Sequence, residues 1–445
     1  MSRIRWANRE KRNQAVIIPS GEEIRSLLFP PGKKEIPGQV KFLSLFDNKE
    51  CKYVAYRGGI GAGKSWIGSH YAIEKAARNP NVRGFIGANT YPQLWQSTLT
   101  GLYEVCEAYK VPIRPDNPES AAKKKVLYLW GKVEVLCRAA ENKGYKTWDG
   151  FKCGWFWLDE AKDMDEEAYR TICERHRDNR VDRLEGWLTS SPSGMNWFGV
   201  IEEDPEVRVV TANTLDNYTL PTDYVPSLLK KMSPDMAMQQ IEGKVINVYS
   251  GQCYPFFSRA ENVKAQSIVE NETLIIGVDF NVEPGMHAEV MQIIGDDVFV
   301  IDEIYIKGGN TPQLTKEIER QFGTKGVVIH PDAAGGHRST TGTSDHQILK
   351  DAGFKVVCRA ANPPIKNRIN SVNGRILNAL GERHLYVDPR CKLLIKDLEQ
   401  CTWEVMMTSS YKGPLTHPGA ALGYPVEYRF PSISQSFAIA LPRHF

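Results

Sequence analysis

An eight-residue glycine-rich segment constrains this chain more than any other part of its sequence. Residues 58–65 read Gly-Gly-Ile-Gly-Ala-Gly-Lys-Ser, a complete match to the pattern G-x-x-x-x-G-K-S/T. In such a loop the glycines let backbone N–H groups surround phosphates, the lysine reaches the terminal phosphates, and the serine hydroxyl faces Mg²⁺. The apolar run Tyr53–Tyr56 precedes the segment and a helical pattern follows it. The segment therefore predicts a strand, a phosphate-binding loop and a helix.

A pair of carboxylates further along the chain completes a site for phosphate hydrolysis. Asp159 and Glu160 directly follow the apolar run Trp155–Leu158, which is typical of a buried strand. A carboxylate at the end of a neighbouring strand holds the water shell of Mg²⁺, and a second one polarises the attacking water. We therefore predict ATP hydrolysis, with Lys64 on the terminal phosphates, Asp159 serving the metal and Glu160 activating water.

Phosphoryl transfer usually also requires an arginine that stabilises charge on the phosphates, supplied by the same chain or by a neighbour. Four arginines are candidates: Arg57, Arg138, Arg175 and Arg177. Arg138 ranks first, because it stands at the end of a strand-like run.

The length and composition indicate a soluble, intracellular protein of two or three domains, with two as the default expectation. The chain has 445 residues and a net charge of +3, and 42% of its residues are hydrophobic, as in globular proteins. Single hydrophobic cores stop growing well below this length. No apolar run is long enough to span a membrane, and no secretory signal is visible. Nine cysteines without a CxxC pair argue against a zinc site or a disulfide framework.

The pattern of apolar runs divides the chain into four segments. Residues 1–48 contain several prolines and glycines and are predicted to form a loop-rich lead-in. Residues 49–212 alternate short apolar runs with helical stretches, which predicts a P-loop ATPase domain with a mainly parallel sheet. In residues 213–271 the pattern breaks up, and we expect a linker region whose only helical stretch is 236–243. Residues 272–445 are predicted to form a second α/β domain with a mixed sheet.

Two aspartates in the second domain follow predicted strands. Asp279 ends the strand Leu274–Asp279, and Asp332 follows the short strand Val327–His330. Carboxylates at neighbouring strand ends suit two-metal phosphodiester hydrolysis, because they hold two Mg²⁺ or Mn²⁺ ions that stabilise the attacking and leaving oxygens. On these residues alone, a structural and a catalytic role are about equally supported. Glu303, at the end of a further apolar run, is a third candidate ligand.

Taken in order, these motifs resemble those of the large terminase subunit of tailed bacteriophages. The first domain is similar to the ATPase half of that family, and the second is similar to its ribonuclease H-like nuclease. The matching segments are Arg57-Gly58-Gly59, Trp157–Ala161, Thr189–Pro192, Gly277–Phe280, His330–Gly335 and Ala421–Tyr424. A linker signature, Asp216-Asn217 with Leu220-Pro221, is also similar. The resemblance covers roughly residues 39–430.

The resemblance implies roles for further residues. Gln39 is similar to the glutamine ahead of the phosphate loop that contacts adenine in the family. Thr189, Ser190 and Ser191 are similar to the motif that couples nucleotide state to movement. The implied ATP-binding residues are Gln39, Arg57, Gly58, Gly59, Ile60, Gly61, Ala62, Gly63, Lys64, Ser65 and Asp159.

The resemblance also implies a function and partners. It implies a motor that hydrolyses ATP to move double-stranded DNA into a procapsid and that cuts concatemeric DNA with a metal-dependent nuclease. The implied cofactors are ATP with Mg²⁺ in the first domain and Mg²⁺ or Mn²⁺ in the second. The implied partners are double-stranded DNA, a small terminase subunit, the capsid portal protein, and further copies of the chain in a ring on the portal. The implied location is the host cell cytoplasm, without a membrane, and a monomer in solution is compatible with this.

One position departs from the family pattern. The family places a third metal-binding aspartate just before Ala-Leu-Gly-Tyr, and this chain has Ala420 there. Alanine cannot ligate a metal, so we expect the nuclease to be impaired. Either the chain is an engineered nuclease-deficient variant, which the intact surroundings favour, or another ligand such as His417 takes part.

Two other classes of protein remain as alternatives. A P-loop DNA helicase or repair ATPase with a non-catalytic, nucleic-acid-binding C-terminal domain accounts equally well for Lys64 and Glu160. It does not account for Asp279 and Asp332. A non-enzymatic capsid or scaffold protein has no need of a complete phosphate site.

Overall fold

The structure is a computed structural model that describes residues 17–281, 283–337, 342–408 and 415–432. These residues fall into two compact units. The first unit consists of the residues up to Pro221 together with Met238–Ile246. The second consists of Thr222–Ala237 and the residues from Asn247 onward. The segment 213–271, predicted as a linker, therefore contributes residues to both units. None of the described helices combines the length and the hydropathy that crossing a bilayer requires.

The first unit is built on an eight-stranded sheet in the order β3-β4-β5-β2-β6-β7-β1-β8. All neighbouring strands from β5 to β8 pair in parallel, and only β3, β4 and β5 pair antiparallel at one edge. The predicted mainly parallel sheet is thus confirmed. The strands are β1 Tyr53–Gly58, β2 Gly84–Ala88, β3 Ile113–Arg114, β4 Val126–Leu129, β5 Val133–Ala139, β6 Trp155–Asp159, β7 Glu185–Ser190 and β8 Val207–Ala212.

Helices cover both faces of this sheet, which explains why its central strands are continuous apolar runs. Alternate residues of β6 enter two different cores: Trp157 joins the cluster on one face, and Phe156 and Leu158 join the cluster on the other. The helices are α1 Gly21–Ser26, α2 Pro37–Asp47, α3 Lys64–Arg78, α4 Tyr91–Gln93, α5 Thr100–Ala108, α6 Pro118–Lys124 and α7 Glu166–Arg175. A π-helix spans Leu94–Leu99, and short 3₁₀ helices span Glu141–Thr147, Ala161–Asp163, Ile201–Glu203 and Thr214–Asp216.

The prediction of a loop-rich lead-in is wrong for the described part of residues 1–48, because α1 and α2 lie there. The signals that suggested loops include Pro37 and Gly38, but Pro37 occupies the first turn of α2. Proline is favoured at that position, where its missing N–H would have no partner in the helix. The buried rings of Phe42 and Phe46 then anchor α2 in the core of the first unit.

The predicted linker holds three short α-helices rather than one, besides the 3₁₀ helix Thr214–Asp216. They are α8 Tyr224–Leu229, α9 Pro234–Gln240 and α10 Arg259–Asn262. Pro226 and Pro234, which suggested interruptions, both lie in the first turns of helices. Only α9 overlaps the stretch that the sequence pattern predicted to be helical.

The second unit contains a six-stranded mixed sheet in the order β13-β12-β9-β10-β11-β14. Strand β10 pairs antiparallel with both neighbours, and the remaining pairs are parallel, so the predicted mixed sheet is confirmed. The strands are β9 Leu274–Asp279, β10 Gly285–Ile294, β11 Asp297–Lys307, β12 Val327–Pro331, β13 Lys355–Val356 and β14 Leu385–Val387. The helices are α11 Thr311–Phe322, α12 Asp345–Asp351, α13 Ile365–Ile376, α14 Lys392–Gln400, α15 Trp403–Met407 and α16 His417–Arg429, with a 3₁₀ helix at Ala333–Gly336.

Helix α16 crosses the sheet of the second unit at very short range. A Cβ atom at Gly277 in β9 would collide with the backbone oxygen of Ala421 in α16. Only glycine allows this approach of helix to strand. The close contact brings His417, at the start of the helix, and Tyr424, in its middle, to Asp279 at the end of β9.

Candidate functional site

The phosphate loop joins the end of β1 to the start of α3. Gly61 and Gly63 have φ angles of 80° and 78°, in the left-handed region that favours glycine. The Lys64 ammonium is buried and donates to the backbone oxygens of Gly58, at 3.3 Å, and Gly59, at 2.8 Å. Burial lowers the pKa of Lys64, against the opposing charges of Glu160 and Asp159. No side chain caps the first turn of α3, so its N–H groups remain available to an anion.

The segment that follows β8 contacts the phosphate loop through two side chains. The Thr214 hydroxyl donates to the oxygen of Ile60 at 2.9 Å, and the Asn217 amide donates to the oxygen of Gly61 at 2.6 Å. A Cβ at Gly59 would collide with the Thr214 hydroxyl, so the loop and this segment are in close contact. The sequence analysis did not assign Thr214 or Asn217 to the site. The signal that points to Asn217 is the Asp-Asn pair of the linker signature.

Gln39 and Arg57, both predicted to bind ATP, have different surroundings. Gln39 is buried in α2, and its amide donates to the oxygen of Gly63 at 3.3 Å, so the structure brings it to the loop. The Arg57 guanidinium instead donates to the oxygen of Gly199, at 3.1 Å, and to the Glu202 carboxylate, at 2.5 Å. The described contacts of Arg57 hold a loop of the first unit rather than the phosphate loop.

Asp159 lies fully buried at the end of β6, between two hydroxyl donors. Thr98, from the π-helix, donates to Oδ2 at 2.9 Å, and Thr189, from β7, donates to Oδ1 at 2.7 Å. Thr189 also accepts from the indole N–H of Trp157 at 2.7 Å. Burial and the neighbouring Glu160 charge raise the pKa of Asp159 to about 6, although both hydroxyls and Lys64 oppose this. Thr189, predicted to belong to a coupling motif, thus donates directly to the carboxylate predicted to hold the metal.

Glu160 has a left-handed backbone with a φ of 47°, and its carboxylate turns toward two donors. Its Oε2 lies 3.0 Å from the Lys162 ammonium and accepts from the Ser190 hydroxyl at 3.3 Å. Burial alone would raise the pKa of Glu160, but the Lys162 and Lys64 charges outweigh burial and lower it. Glu160 is therefore ionised and able to accept a proton. Ser191, the third residue of the coupling motif, is buried directly after β7.

The structure brings none of the candidate arginines to the phosphate loop through a described hydrogen bond. Arg138, ranked first, donates to the backbone oxygens of Lys125 and Cys137. Arg175 pairs with acidic side chains at 2.9 and 3.0 Å, and Arg177 donates to a backbone oxygen. The stabilising arginine stays a prediction, from this chain or from a neighbouring one.

In the second unit, the ends of β9 and β12 place Asp279 and Asp332 side by side. The two strands pair in parallel up to Val278 opposite Pro331, and the Asp332 N–H donates to the Val278 oxygen at 2.9 Å. Asp279 Oδ2 lies 2.9 Å from Nδ1 of His417, and Oδ1 accepts from the Tyr424 hydroxyl at 3.2 Å. Both aspartates lie at the ends of neighbouring strands, and His417 lies beside Asp279. Their role as metal ligands stays a prediction.

Ala420 lies on the face of α16 that contacts Asp279. It is three residues after His417 and four before Tyr424, which is the spacing of one face of α16. A carboxylate at this position would project from the same face as the two residues that contact Asp279. Ala420 is 6% exposed and offers no ligand.

Glu303 has a structural role. Both of its oxygens accept from the backbone N–H of Leu393, at 3.0 and 3.1 Å, and one also accepts from Leu394 at 3.0 Å. The carboxylate therefore caps the start of α14, and its register partner on β10 is Glu289. Among the described residues, no three His, Cys, Asp or Glu side chains are grouped so that they could hold a metal ion. The donor set at Asp279 and Asp332 does not fit a two-metal centre as it stands.

The sequence analysis missed a buried acidic cluster around Glu289 in the second unit. Both oxygens of Glu289 are buried without a hydrogen-bond partner in the described chain. Burial, together with Glu303, Asp397 and Asp302, raises the pKa of Glu289 well above its ordinary value. Asp397 caps α16 by accepting from two backbone N–H groups, and burial raises its pKa to about 6. Glu289 belongs to no sequence motif, so only the register of β10 against its neighbouring strands reveals its position.

No protein-family model matches this chain, and no curated protein matches it. Solved structures do match. The large terminase of a thermophilic bacteriophage is 15% identical, with a TM-score of 0.61 over 88% of this chain and 98% of that one. The complex of that terminase with ATP-γ-S is 15% identical over the same shares, with a TM-score of 0.59. Its complex with ADP is 15% identical, with a TM-score of 0.56 over 82% and 90%.

At this level of identity the likeness establishes the fold. The resemblance predicted from the motifs is confirmed at that level, since the similarity covers most of both chains. The predicted fold class, an ATPase-like unit with a mainly parallel sheet followed by a mixed α/β nuclease-like unit, is confirmed with it.

Proposed function

We propose that the first unit binds ATP with Mg²⁺ and hydrolyses it, and that the chain is a DNA-packaging motor subunit of the large-terminase type. One observation carries the proposal. Lys64 of the phosphate loop interacts by charge with Asp159 and Glu160 at the end of β6, and these two carboxylates accept hydrogen bonds from β7. This is the minimal set of groups for phosphoryl transfer to water.

The residues present fit a nucleotide. Gly61 and Gly63 allow the backbone to wrap phosphates, and the uncapped first turn of α3 supplies N–H donors and a positive dipole end. When bound, Mg²⁺ would neutralise phosphate charge, with Ser65 and Asp159 as the residues that hold it. The thermophilic phage's large terminase, which shares the fold, was solved with ATP-γ-S and with ADP.

The chain's own residues suggest how hydrolysis would proceed. Glu160 Oε2 is anchored by Lys162 and Ser190, whereas Oε1 has no partner in the described chain. The free oxygen is the one that would accept a proton from the attacking water. Because Thr189 and Ser190 bond to Asp159 and Glu160, β7 would sense a change at either carboxylate. This supports the coupling role proposed for Thr189 and Ser190.

The further parts of the proposal rest on the likeness in fold to large terminases. We propose that the energy of ATP hydrolysis drives the translocation of double-stranded DNA into a procapsid. The proposed partners are the small terminase subunit, the portal protein and further copies of the chain in a ring, in the cytoplasm of the host cell. The proposed nuclease of the second unit, dependent on Mg²⁺ or Mn²⁺, is impaired, because Ala420 removes a ligand and the remaining described donors do not fit two ions.

Displacement of a third strand from duplex DNA tests the motor. A triplex-forming oligonucleotide is annealed to a blunt duplex, and its release is followed with ATP, with ADP and without nucleotide. We expect ATP-dependent release from the duplex and no unwinding of a forked substrate. Unwinding of the fork would favour the helicase alternative. Failure to release the third strand, despite hydrolysis of ATP, would contradict translocation on duplex DNA.

A further inference from the structure

Lys162 is a buried lysine next to the proposed catalytic carboxylate. It lies in the 3₁₀ helix Ala161–Asp163, directly after β6, and only 7% of its surface is exposed. An ammonium group is costly to bury unless opposite charges compensate it. Its partners are Glu160, at 3.0 Å, and Asp163, at 3.9 Å. Glu160 is much the closer of the two.

The backbone of Lys162 is fixed from both sides. Its N–H donates to the Ser190 hydroxyl at 3.3 Å, and its oxygen accepts from the Asn196 amide at 3.0 Å. The same Ser190 hydroxyl donates to Glu160. The Ser190 hydroxyl thus links the backbone of Lys162 to the Glu160 carboxylate, and the Lys162 ammonium contacts the same carboxylate.

The charge of Glu160 interacts with two cations. Lys162 and Lys64 both attract the carboxylate, and Lys64 belongs to the phosphate loop. Without Lys162, the nearest compensating charge for Glu160 would be Lys64. That pairing would occupy the base and the phosphate-binding lysine with each other.

We propose that Lys162 is a positioning residue for ATP hydrolysis, holding Oε2 of Glu160 so that Oε1 faces the attacking water and Lys64 stays free for phosphate. The inference rests on the proposed ATPase activity. In this proposal Lys162 does not contact the nucleotide. Replacing Lys162 should therefore affect the rate of turnover rather than the binding of ATP.

Replacing Lys162 tests this directly. Lys162→Met keeps the length of the side chain and removes the charge, Lys162→Arg keeps the charge, and Lys162→Gln is a second neutral variant in case Lys162→Met does not fold. Positioned general bases contribute on the order of 10²–10⁴-fold, and we expect loss of positioning to lower kcat at least tenfold. KM for ATP and the calorimetric affinity for ADP should stay within about twofold of the unsubstituted chain. Lys162→Arg should recover most of the rate.

A double substitution separates positioning from a general effect on folding. In a Glu160→Gln background, Lys162→Met should cause no further loss of rate, because the group through which it acts is gone. The matched control is Lys152→Met, which removes a half-exposed lysine paired with Asp178 at 3.4 Å and should leave turnover unchanged.

Several results would overturn the inference. These are an unchanged kcat in Lys162→Met and Lys162→Gln, a loss of ADP affinity in parallel with the rate, or an equal further loss in the Glu160→Gln background. Failure of the proposed function is a different outcome: the unsubstituted chain itself would then hydrolyse no ATP.

Discussion

Replacing Thr189 by valine should be unusually costly, because one hydroxyl serves two buried partners. The hydroxyl donates to Asp159 Oδ1 at 2.7 Å and accepts from the Trp157 indole N–H at 2.7 Å. Valine has the same shape and suits a strand, so the change removes the hydrogen bonds with little effect on packing. Both partners are fully buried and cannot turn to water instead.

The magnitude follows from the two bonds. A hydrogen bond to a charged group contributes about 1.5–3 kcal/mol, and a buried N–H left without a partner costs about 1–3 kcal/mol. Thr98→Val is the matched comparison, because Thr98 donates to the other oxygen of Asp159 at 2.9 Å and accepts from no described indole. We therefore expect Thr189→Val to lower the free energy of unfolding by about 1–3 kcal/mol more than Thr98→Val does.

Urea unfolding followed by tryptophan fluorescence measures this difference. At pH 8 Asp159 is ionised, since its pKa is about 6. Thr171→Val is the control, because the Thr171 hydroxyl is exposed and donates only to a backbone oxygen, and it should change stability by less than about 0.5 kcal/mol. Equal losses in Thr189→Val and Thr98→Val would refute the argument that the Trp157 indole depends on Thr189.

Three further substitutions test the two sites. Lys64→Ala should weaken calorimetric ADP and ATP binding, because it removes the charge that faces the terminal phosphates; unchanged affinities would exclude that role. Ala420→Asp should create plasmid cleavage dependent on Mg²⁺ or Mn²⁺ that Asp279→Ala abolishes, whereas vigorous cutting by the Ala420 chain would mean that another ligand completes the centre. Glu289→Gln should stabilise the second unit increasingly above pH 4.5, by up to about 1.4 kcal/mol per pH unit, because the folded chain keeps a proton that the unfolded chain releases. Chemical unfolding at pH 5 and 7 checks this, and a gain independent of pH would contradict it.

Much of the phosphate site could be predicted from the sequence, because its residues are local and chemically specific. The glycine pattern defines Lys64 and Ser65, and a strand followed by two carboxylates defines Asp159 and Glu160. Parallel strands end at the same edge of a sheet, so these groups must converge. The same rule brought Asp279 and Asp332 together in the second unit.

The remaining parts depend on contacts between distant segments, which have no local signal. The Asn217 contact with the phosphate loop joins residues 156 positions apart. Lys162 and Glu160 are close in sequence, but Ser190 of β7, which bonds to both, is 28 and 30 positions from them. Arg57 belongs to the loop motif by sequence, yet its guanidinium is bound to Gly199 and Glu202. Glu303 had the position of a metal ligand at a strand end, but helix α14 begins where its carboxylate lies. Secondary-structure propensity cannot anticipate these side-chain partners of Arg57 and Glu303.

The most direct test of the account is ATP hydrolysis by the purified chain beside its Glu160→Gln variant. The account predicts Mg²⁺-dependent hydrolysis by the unsubstituted chain and a loss on the order of 10²-fold or more in the variant, with ATP binding retained. Glutamine matches glutamate in shape but cannot accept the proton, and it also removes the charge that pairs with Lys162. Hydrolysis by Glu160→Gln at the rate of the unsubstituted chain would contradict the assignment of this carboxylate and, with it, the proposed mechanism of the motor.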